Sequence, residues 1–478
     1  MNWHDWHDWT LLYYALEWVI RIVMLVVVTN RRRGSPMAWL LVIFFFPVPG
    51  LVLYLLIGEN RLPRRRAGRH ARLLEDLGEI GRRLEGHPAV VHPDLPPDQE
   101  PFVLLAERLG SLPIVGGNEG RLMTDTDEVI DRLVEDIDAA ERHVHLLYYI
   151  YANDKTGMKV AEALTRAAAR GVKCRVLVDA VGSRPMLKSL ASRLTSQGVE
   201  LYPALPVSLF RRGFARLDLR NHRKLAVIDG RIAYAGSQNI VNADYGHKDL
   251  AWHDMSVRLI GPVVLELQTV FVGDWYFETN EVLAGEDIFP EPPMLGPIAA
   301  QTLPSGPDYP TENYQRMVVS AMHAARRQVV ITSPYFVPDE AFLQAIEVAV
   351  LRGVTVEIIL PRRCDQVLVG AASRAYYEDL LRLGVKLHLF DDGLLHAKTM
   401  SVDDSVALVG SSNFDIRSFE LNFEISLLFY GADMTGYLRH LQRGYMAQSR
   451  QLTPEEWSRR PRLNRVGENI ARLLSPLL

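Results

Sequence analysis

The chain has 478 residues, 48% hydrophobic and 23% charged, which is typical of a globular protein with room for a membrane segment and two domains. Residues 1–72 contain ten arginines and four acidic residues, a net charge of +6, and since the whole chain carries −4, the remainder carries −10. A nuclease would be more basic over this remainder, so the charge argues against that class of enzyme. Two cysteines in unrelated contexts, Cys174 and Cys364, argue against a disulfide framework or a zinc site and fit a reducing compartment.

Two apolar runs near the N-terminus, residues 10–28 and 37–57, predict a pair of membrane segments. Three tryptophans in WHDWHDW precede the first run, as in an interfacial aromatic belt. Glu17 and Arg21 lie four residues apart within this run, so they can pair on a helix. A cleaved signal peptide is a poor fit, because no basic region precedes the run and no A-x-A site follows it.

The arginine clusters flanking the second run leave two topologies open. Arg31–Arg33 precede this run and Arg64–Arg66 follow it, and both clusters favour the cytosolic side. Either the second segment turns back at Pro47–Gly50, or the two runs form an ordinary two-span hairpin. In both cases we expect the rest of the chain to be cytosolic.

Beyond a basic connector over residues 61–110, the two parts of the chain repeat one order of elements. A repeat of this length indicates domain duplication. We therefore predict two tandem α/β/α domains, residues 111–288 and 311–478, each with a mixed sheet, related by a pseudo-twofold axis and separated by a Pro-rich linker over residues 289–310. The repeated elements are strand 144–152, helix 158–171 and strand 172–180, then strand 328–337, helix 339–353 and strand 354–361.

A polar motif occurs once in each predicted domain. NHRKLAVIDG (221–230) and LHAKTMSVDD (395–404) share the pattern H-x-K-x4-D, and G-S-x-N follows each at the same distance. Two matched copies exclude chance, so we interpret them as a duplicated site. The members are His222, Lys224, Asp229, Ser237 and Asn239 in the first copy and His396, Lys398, Asp403, Ser411 and Asn413 in the second.

The first motif reads as the start of a strand. Residues two apart in a strand point the same way, so His222 and Lys224 would share a face. Leu225–Ile228 would be buried, and Asp229-Gly230 would form a hairpin turn. For one motif alone, an edge strand carrying two polar residues is the simpler interpretation. With two motifs, a pseudo-twofold axis would bring both histidines to one cleft.

Two histidines suit a displacement that needs one nucleophile and one proton donor, because imidazole titrates near neutrality. Lysines, asparagines and serines supply positive charge and donors for a phosphodiester without a metal. Asp254 and Glu424 can hydrogen-bond histidine Nδ1 and select the tautomer. Asp254 follows Asn239 by fifteen residues, whereas Glu424 follows Asn413 by eleven, so an insertion precedes Asp254. No G-x-S-x-G elbow is present, which disfavours a Ser-His-Asp hydrolase.

The paired motifs resemble those of the phospholipase D superfamily. Together with AWLLVIFFFPVPGLVLYLLIGEN, SPYFVPDE and the terminal ARLLSPLL, they make essentially the whole chain similar to the bacterial cardiolipin synthases of that superfamily. This resemblance implies an enzyme of the bacterial inner membrane with a cytosolic catalytic part. It also implies transfer of a phosphatidyl group between two phosphatidylglycerol molecules, giving cardiolipin and glycerol, with no metal or cofactor.

The resemblance also implies roles for the motif residues. His222 would form a phosphatidyl-histidine, while His396 would protonate the departing glycerol and then deprotonate the incoming hydroxyl. The near-symmetry of the motifs allows these roles to be exchanged. The motif lysines and asparagines would hold the phosphate oxygens, with the serines in support. We assign the motif aspartates to the turns.

Three other enzymes with the same fold are competing interpretations: a hydrolytic phospholipase, a phosphatidylserine synthase or a nuclease. The sequence does not show whether water or lipid reaches the phosphohistidine. A non-catalytic scaffold would be expected to have lost one motif, and both are intact.

Two further segments have alternative interpretations. SLFRRGFARLDLR (208–220) fits a bilayer-surface loop that guides anionic lipid or an ordinary solvated loop. In the terminal segment, one helical face carries Val466, Ile470, Leu473 and Leu474. We predict that this face docks on the core rather than on the membrane.

Overall fold

The chain forms two compact units, an N-terminal helical unit and a larger α/β unit, and each is described by itself. Residues 61–87 of the basic connector lie outside the described residues, and so do residues 208–217 of the arginine-rich segment. The computed structural model describes residues 3–30, 36–58, 88–110, 112–206, 218–246 and 249–475.

Within these residues, one helix is long and apolar enough to cross a membrane. This helix, α1 (Trp3–Thr29), has its apolar span at Trp9–Thr29. Arg21 Nη1 lies 3.2 Å from Glu17 Oε2, which confirms the predicted ion pair. Arg21 Nε also donates to the carbonyl of Phe44 at 3.0 Å, so the same side chain ties α1 to the second apolar segment.

The second apolar segment is broken into short pieces. It contains helices α2 (Pro36–Phe45) and α3 (Pro47–Leu53) and a π-helical turn, Tyr54–Gly58. A Cβ on Gly50 would lie 2.9 Å from Ile43 Cα, whereas a continuous helix would separate residues seven apart by about 10 Å. The chain therefore folds back at the Phe46–Pro47 junction, where proline interrupts the helical hydrogen bonds.

The large unit is built on one mixed sheet of 15 strands in the described residues. The same residues form two further two-stranded sheets, Phe336–Val337 with Phe414–Asp415 and Trp252–His253 with Leu394–Leu395. The strands of the first half are β1 (Val115–Met123), β2 (His143–Tyr148), β3 (Lys173–Asp179), β4 (Glu200–Ala204), β5 (Lys224–Ile228), β6 (Ile232–Gly236), β7 (Trp252–His253) and β8 (Ser256–Ile260). Those of the second are β9 (Ile298–Ser305), β10 (Gln328–Thr332), β11 (Phe336–Val337), β12 (Thr355–Pro361), β13 (Lys386–Phe390), β14 (Leu394–Leu395), β15 (Thr399–Val402), β16 (Val406–Gly410), β17 (Phe414–Asp415), β18 (Glu424–Tyr430) and β19 (Ser449–Leu452).

Strand order confirms the duplication. From the centre outward the first half runs β1-β8-β6-β5-β2-β3-β4, and the second runs β9-β18-β16-β15-β10-β12-β13-β19. Apart from the added β19, equivalent strands occupy equivalent places, as a pseudo-twofold axis requires. The two sheets meet where β1 pairs antiparallel with β9, and they form one continuous sheet instead of one sheet per half.

The prediction of a linker over residues 289–310 is wrong for residues 298–305. Residues Ile298–Ser305 form β9, which pairs with β18 on one side and β1 on the other. The prolines and glycines around this stretch suggested a linker, but the apolar residues between them are covered from both halves. Ala300 and Leu303 are at most 1% exposed.

Helices flank the sheet, and the helices of the two repeated β-α-β units begin with equivalent aspartate N-caps. Asp154 accepts from the Gly157 backbone N–H at 2.8 Å, and Asp339 accepts from that of Phe342 at 2.9 Å. The helices are α4 (Glu100–Gly110), α5 (Thr126–Asp138), α6 (Lys155–Ala169), α7 (Arg184–Ser189), α8 (Ala191–Ser196), α9 (Val263–Thr279), α10 (Asn313–Ala324), α11 (Glu340–Leu351), α12 (Val367–Leu383), α13 (Ile416–Glu420), α14 (Ala432–Ala447), α15 (Pro454–Ser458) and α16 (Arg462–Leu473), with a 3-10 turn at Pro97–Gln99.

The two halves share part of their hydrophobic core. Leu225 and Val257 of the first half and Val409 and Ile425 of the second belong to one buried cluster. Burying side chains of this size contributes about 1.5–3 kcal/mol each, so the contact between the halves is a substantial part of the stability of both.

The motif aspartates lie at the turns that end the histidine-lysine strands. Asp229 and Gly230 both have positive φ, 52° and 63°, as the predicted hairpin turn between β5 and β6 requires. The Asp229 carboxylate accepts from three backbone N–H groups at the start of β2, at 2.8–2.9 Å. Asp403 does the same at the start of β10, at 2.8–3.0 Å. Each aspartate thus ties its turn to the neighbouring strand.

The predicted docking of the C-terminal apolar face on the core is wrong. In α16, Val466 and Ile470 are each 56% exposed and Leu473 is 80% exposed. The helix docks through a different face, on which Glu468 and Ala471 are buried. Ion pairs of Glu468 with two arginines hold that face inward and leave the apolar one outward.

Replacing either motif aspartate by alanine is expected to lower the free energy of unfolding by about 2 kcal/mol, because three backbone donors lose a charged acceptor. Denaturant unfolding of the detergent-purified Asp229→Ala and Asp403→Ala variants measures this change. Asp404→Ala, which removes an exposed ion-pair partner of Arg327, is the control and should change it by less than about 0.5 kcal/mol. Unchanged stability with a hundredfold loss of turnover would contradict the structural role.

Candidate active site

Both motif histidines lie just before their strands, anchored by the opposite half. Strand β5 begins at Lys224 and β15 at Thr399, so neither histidine is in the strand as predicted. The His222 N–H donates to the carbonyl of Phe423 at 2.9 Å, and the His396 N–H donates to that of His253 at 2.8 Å. Each histidine segment therefore runs beside the stretch that precedes the acidic residue of the other half.

Each imidazole also contacts a carboxylate of the other half. His222 Nδ1 lies 2.9 and 3.0 Å from the two carboxylate oxygens of Glu424. His396 Nδ1 lies 2.6 Å from Asp254 Oδ1. An ionised carboxylate only accepts hydrogen bonds, so in both pairs Nδ1 carries a proton and Nε2 is left to react. The insertion before Asp254 has not displaced it.

The motif serines hold the two carboxylates in place. Ser237 Oγ donates to Asp254 Oδ1 at 2.5 Å, and Ser411 Oγ donates to Glu424 Oε2 at 2.5 Å. Both serines are fully buried, so their contacts support the carboxylates. Their support of the residues that would hold the phosphate oxygens stays a prediction.

The motif glycines permit this arrangement sterically. A Cβ on Gly236 would lie 2.3 Å from the carbonyl oxygen of Met255, and one on Gly410 would lie 2.6 Å from that of Ile425. Glycine at these two places lets β6 and β16 approach their neighbouring strands closely enough for the following serine to reach its carboxylate.

The two histidines open into one cavity of about 440 Å³ made by both halves. Tyr149 lies edge-on to the ring of His222 with centroids 4.8 Å apart, and Trp252 lies 4.4 Å from that of His396. The cavity is lined by Tyr149, Ile150, Arg220, His222, Asn239, Tyr245, Gly246, Trp252, Tyr335, Asp365, Gln366, Val369, His396, Asn413, Asp415, Arg417 and Asn422.

The motif asparagines both line this cavity but are held differently. Asn239 Oδ1 accepts from the Ile150 N–H at 3.0 Å, which directs its amide NH₂ group away from that backbone. Asn413 Oδ1 is buried without a hydrogen-bond partner in the described structure.

The motif lysines lie behind the histidines. Lys224 Nζ donates to the His222 carbonyl at 2.6 Å, and Lys398 Nζ donates to the His396 carbonyl at 2.6 Å. Burial lowers the pKa of Lys224 to about 7 and that of Lys398 to about 8, against the opposing effect of the nearby carboxylates. Neither lysine is among the residues that line the cavity, so their charge acts on it at a distance.

Burial and pairing also set the protonation of the histidines. Burial lowers the pKa of His222 to about 4, although Glu424 opposes this, and burial lowers the pKa of His396 as well. Burial alone would raise the pKa of Asp254, but His396 and Lys398 outweigh it and bring that pKa to about 2. At neutral pH the rings are therefore neutral and the carboxylates ionised, so Nε2 carries a lone pair.

The halves differ at the residue between histidine and lysine, which is Arg223 in the first motif and Ala397 in the second. Buried Arg223 pairs with Asp274 at 2.7 Å and donates from Nε to the Glu424 carbonyl at 3.0 Å. Burial disfavours its charge, but Asp274 outweighs burial and raises the pKa of Arg223. Arg223 thus ties the first motif to the second half by a hydrogen bond to Glu424 and to α9 of its own half by an ion pair, and Ala397 can make neither side-chain contact.

Among the described residues, no group of three histidine, cysteine or acidic side chains is arranged to hold a metal ion. The polar groups that line the cavity include imidazoles, carboxylates, amides and the guanidinium groups of Arg220 and Arg417, and the two ammonium groups lie behind the histidines. This donor set suits a negatively charged, tetrahedral phosphorus centre with an alcohol leaving group.

Comparison with known proteins places these features in a family. Residues 133–275 and 318–443 match the family described as "Cardiolipin synthase, PLD-like domain", and residues 19–59 match "Phospholipase D-nuclease N-terminal". The chain is 38% identical over 462 aligned positions to Cardiolipin synthase A of Pectobacterium carotovorum, which covers 94% of each protein. It is 37% identical over 501 aligned positions to Cardiolipin synthase A of Yersinia pseudotuberculosis, which covers 98% of this chain and 100% of that relative.

The chain belongs to the cardiolipin synthase family. A solved structure with the same fold is phosphatidylserine synthase of Haemophilus influenzae Rd KW20, with a TM-score of 0.60 at 15% sequence identity. The match covers 79% of this chain and 100% of that one. The two stretches that match the family model, together with this shared fold, confirm the predicted tandem phospholipase D-like domains.

Several residues of this cavity were not predicted from the sequence. Trp252 and Asn422 each lie two residues before the acidic residue of their half, so the spacing to the acid could have revealed them. Tyr335, Asp365 and Gln366 form a hydrogen-bonded group on the wall, with Tyr335 donating to Asp365 at 2.6 Å. They follow β10 and β12 and carry no sequence signal, because only the parallel packing of these strands places them together.

Glu424→Gln is expected to reduce kcat by at least about a hundredfold, because Nδ1 of His222 loses the charge that selects its tautomer and stabilises its protonated form. Asp254→Asn should reduce kcat comparably through His396. Measuring kcat of both purified variants, together with their free energies of unfolding in denaturant, tests these two predictions. The matched control is Glu357→Gln, which alters a buried His–Glu pair with His388 outside the cavity and should leave kcat within a fewfold. Equal loss in all three variants would contradict the specific role.

Proposed function

We propose that this protein transfers a phosphatidyl group from one phosphatidylglycerol to another, producing cardiolipin and glycerol. The observation that carries this proposal is the pair of crossed histidine–carboxylate contacts at one cavity, 2.9 Å and 2.6 Å. Two oriented imidazoles can divide a phosphodiester exchange into two displacements. The curated relatives named Cardiolipin synthase A, aligned along nearly the whole chain, supply the lipid class.

In the first step, Nε2 of His222 attacks the phosphorus of one phosphatidylglycerol. The P–N bond forms as the bond from phosphorus to the headgroup glycerol oxygen breaks. His396 donates the proton that the departing glycerol needs. The negative phosphodiester favours the charged imidazole, as does Asp254, so binding of the substrate raises the proton affinity of His396 at the moment it is required.

In the second step, the hydroxyl of another phosphatidylglycerol replaces glycerol. His396, now neutral, removes the hydroxyl proton, the new P–O bond forms, and the P–N bond to His222 breaks. Glu424 stabilises the charge that His222 carries in the phosphohistidine. Because the structure is close to symmetric here, exchanging the roles of the two histidines gives the same overall reaction.

The remaining motif residues are proposed to stabilise phosphate. The amides of Asn239 and Asn413 lie on the cavity wall, where they can donate to phosphate oxygens. Lys224 and Lys398 add positive charge from behind the histidines. Asp229 and Asp403 act through the fold, because their carboxylates are occupied by backbone donors.

We propose a bacterial inner-membrane protein with its catalytic part in the cytosol. Helix α1 supports the anchor, and the fold-back at Phe46–Pro47 supports a second segment that enters and leaves on one side. Neither α2 nor α3 is long enough to span about 30 Å of hydrocarbon. A segment that turns back leaves Arg31–Arg33 and Arg64–Arg66 together on the cytosolic side.

Purified protein given only phosphatidylglycerol should form cardiolipin and free glycerol in equal amounts, without a nucleotide and in the presence of EDTA. His222→Ala and His396→Ala should each abolish turnover. If His222 is the nucleophile, His396→Ala should trap an acid-labile lipid–protein adduct and His222→Ala none. Lipid chromatography with glycerol quantification measures the products. Phosphatidic acid as the sole product would indicate a hydrolase, and a strict need for CDP-diacylglycerol would refute this mechanism.

The lysine pKa values predict an alkaline limit to catalysis. A lowered pKa means that the ammonium charge is lost as pH rises through about 7 for Lys224 and about 8 for Lys398. Because kcat/KM reports groups of the free enzyme, it should fall between about pH 7 and 9. A bound phosphodiester raises both pKa values, so kcat should fall at higher pH. Steady-state profiles at constant ionic strength test this, and a kcat/KM that stays flat would contradict it.

A further inference from the structure

The C-terminal helix α16 presents an apolar stripe to solvent. Leu463 is 85% exposed, Leu473 is 80% exposed, and Val466 and Ile470 are 56% exposed each. Their spacing of three, four and three residues aligns them along one side of the helix. An amphipathic helix that packs only on its own protein turns such a stripe inward, and this one does not.

The polar contacts of α16 fix the stripe in that direction. Glu468, which is 6% exposed, pairs with Arg374 of α12 at 3.2 Å. Arg472 pairs with Asp379 at 3.2 Å, and its guanidinium lies 4.4 Å from the ring centroid of Tyr376. These contacts are on the α12 side, so the helix is held firmly while its apolar side remains uncovered in the described structure.

The charge around the stripe is positive. Residues 459–475 contain five arginines and one acidic residue, the buried Glu468. Three of the arginines pair with Glu378 or Asp379 of α12, whereas Arg459 and Arg462 are exposed and add positive charge. Arginine on the polar side of an apolar stripe is the pattern of helices that lie in the plane of an anionic membrane surface. This charge suits an anionic partner, and the exposed apolar stripe beside it favours a lipid bilayer, into which the stripe can insert.

The helix that carries α16 also reaches the catalytic cavity. Val367 and Leu368, at the start of α12, are 84% and 44% exposed. They lie between Gln366 and Val369, which both line the cavity. Two further uncovered apolar side chains are thus at the cavity wall, on the element to which α16 is fixed.

We propose that the α16 stripe (Leu463, Val466, Ile470 and Leu473), with Val367 and Leu368, is a docking face that inserts into the surface of an anionic lipid bilayer. Binding there would hold the cavity against the membrane that contains the substrate. This proposal rests on the proposed lipid substrate for its purpose, but the docking itself is measurable without catalysis.

A fluorophore on the stripe tests the docking directly in the full-length chain. Val466→Cys is labelled in a Cys364→Ser background, since Cys174 is buried and 1% exposed. In phosphatidylglycerol vesicles containing a lipid-borne quencher, the label at 466 should be quenched at least twofold more than the same label on Leu351→Cys, another exposed apolar position at 77%. Equal quenching would overturn the proposal. So would shielding that depends on protein concentration without lipid, which would indicate a second copy.

An activity comparison separates docking from chemistry. Leu463→Asn with Ile470→Asn should lower kcat/KM at least fivefold on phosphatidylglycerol vesicles, and less than twofold on a short-chain phosphatidylglycerol dissolved as monomers. Leu351→Asn should change neither. Equal losses on both substrates would refute the docking face. If the unmodified protein makes no cardiolipin from either substrate, the proposed function fails and the fluorescence result still decides the docking.

Discussion

The structure depends on the burial of charge where its two halves meet. Two imidazoles, two carboxylates and two ammonium groups are removed from water around one cavity, which is costly unless each finds a partner. The lysines donate to carbonyls of their own half, but the imidazoles and carboxylates find their partners in the opposite half: Glu424 for His222 and Asp254 for His396. The halves must therefore be held in one fixed relation, and the shared core and the continuous sheet provide that rigidity.

Much of this arrangement was accessible from the sequence because it is local. The duplicated motif identified both histidines, both lysines and the hairpin turns, and the β-α-β order predicted the domains. The crossed pairing was not accessible, since His222 and Glu424 are 202 residues apart, whereas Asp254 lies nearer in the chain. Spacing within a motif cannot tell which copy of an acid a histidine will meet once the halves pack.

Two of the wrong predictions share one cause, because each was made from a local sequence pattern without knowledge of what packs beside it. The proline content of residues 289–310 suggested a linker, yet β9 is covered on both edges by strands from different halves. The apolar face of α16 was identified correctly, but its direction was not. Periodicity shows which residues share a side, whereas the ion pairs of Glu468 decide which side turns inward.

The contact between β1 and β9 has a consequence for how such a protein can arise. These strands occupy equivalent places in the two halves and pair antiparallel, which is the contact that two identical chains make across a twofold axis. One half alone would have an unpaired strand edge and a histidine without its carboxylate. An unduplicated ancestor would thus gain a covered edge and a complete site in the same event, by forming a homodimer. Fusion of two copies would then preserve that dimer within one chain and free each half to diverge, as Arg223 and Ala397 have done.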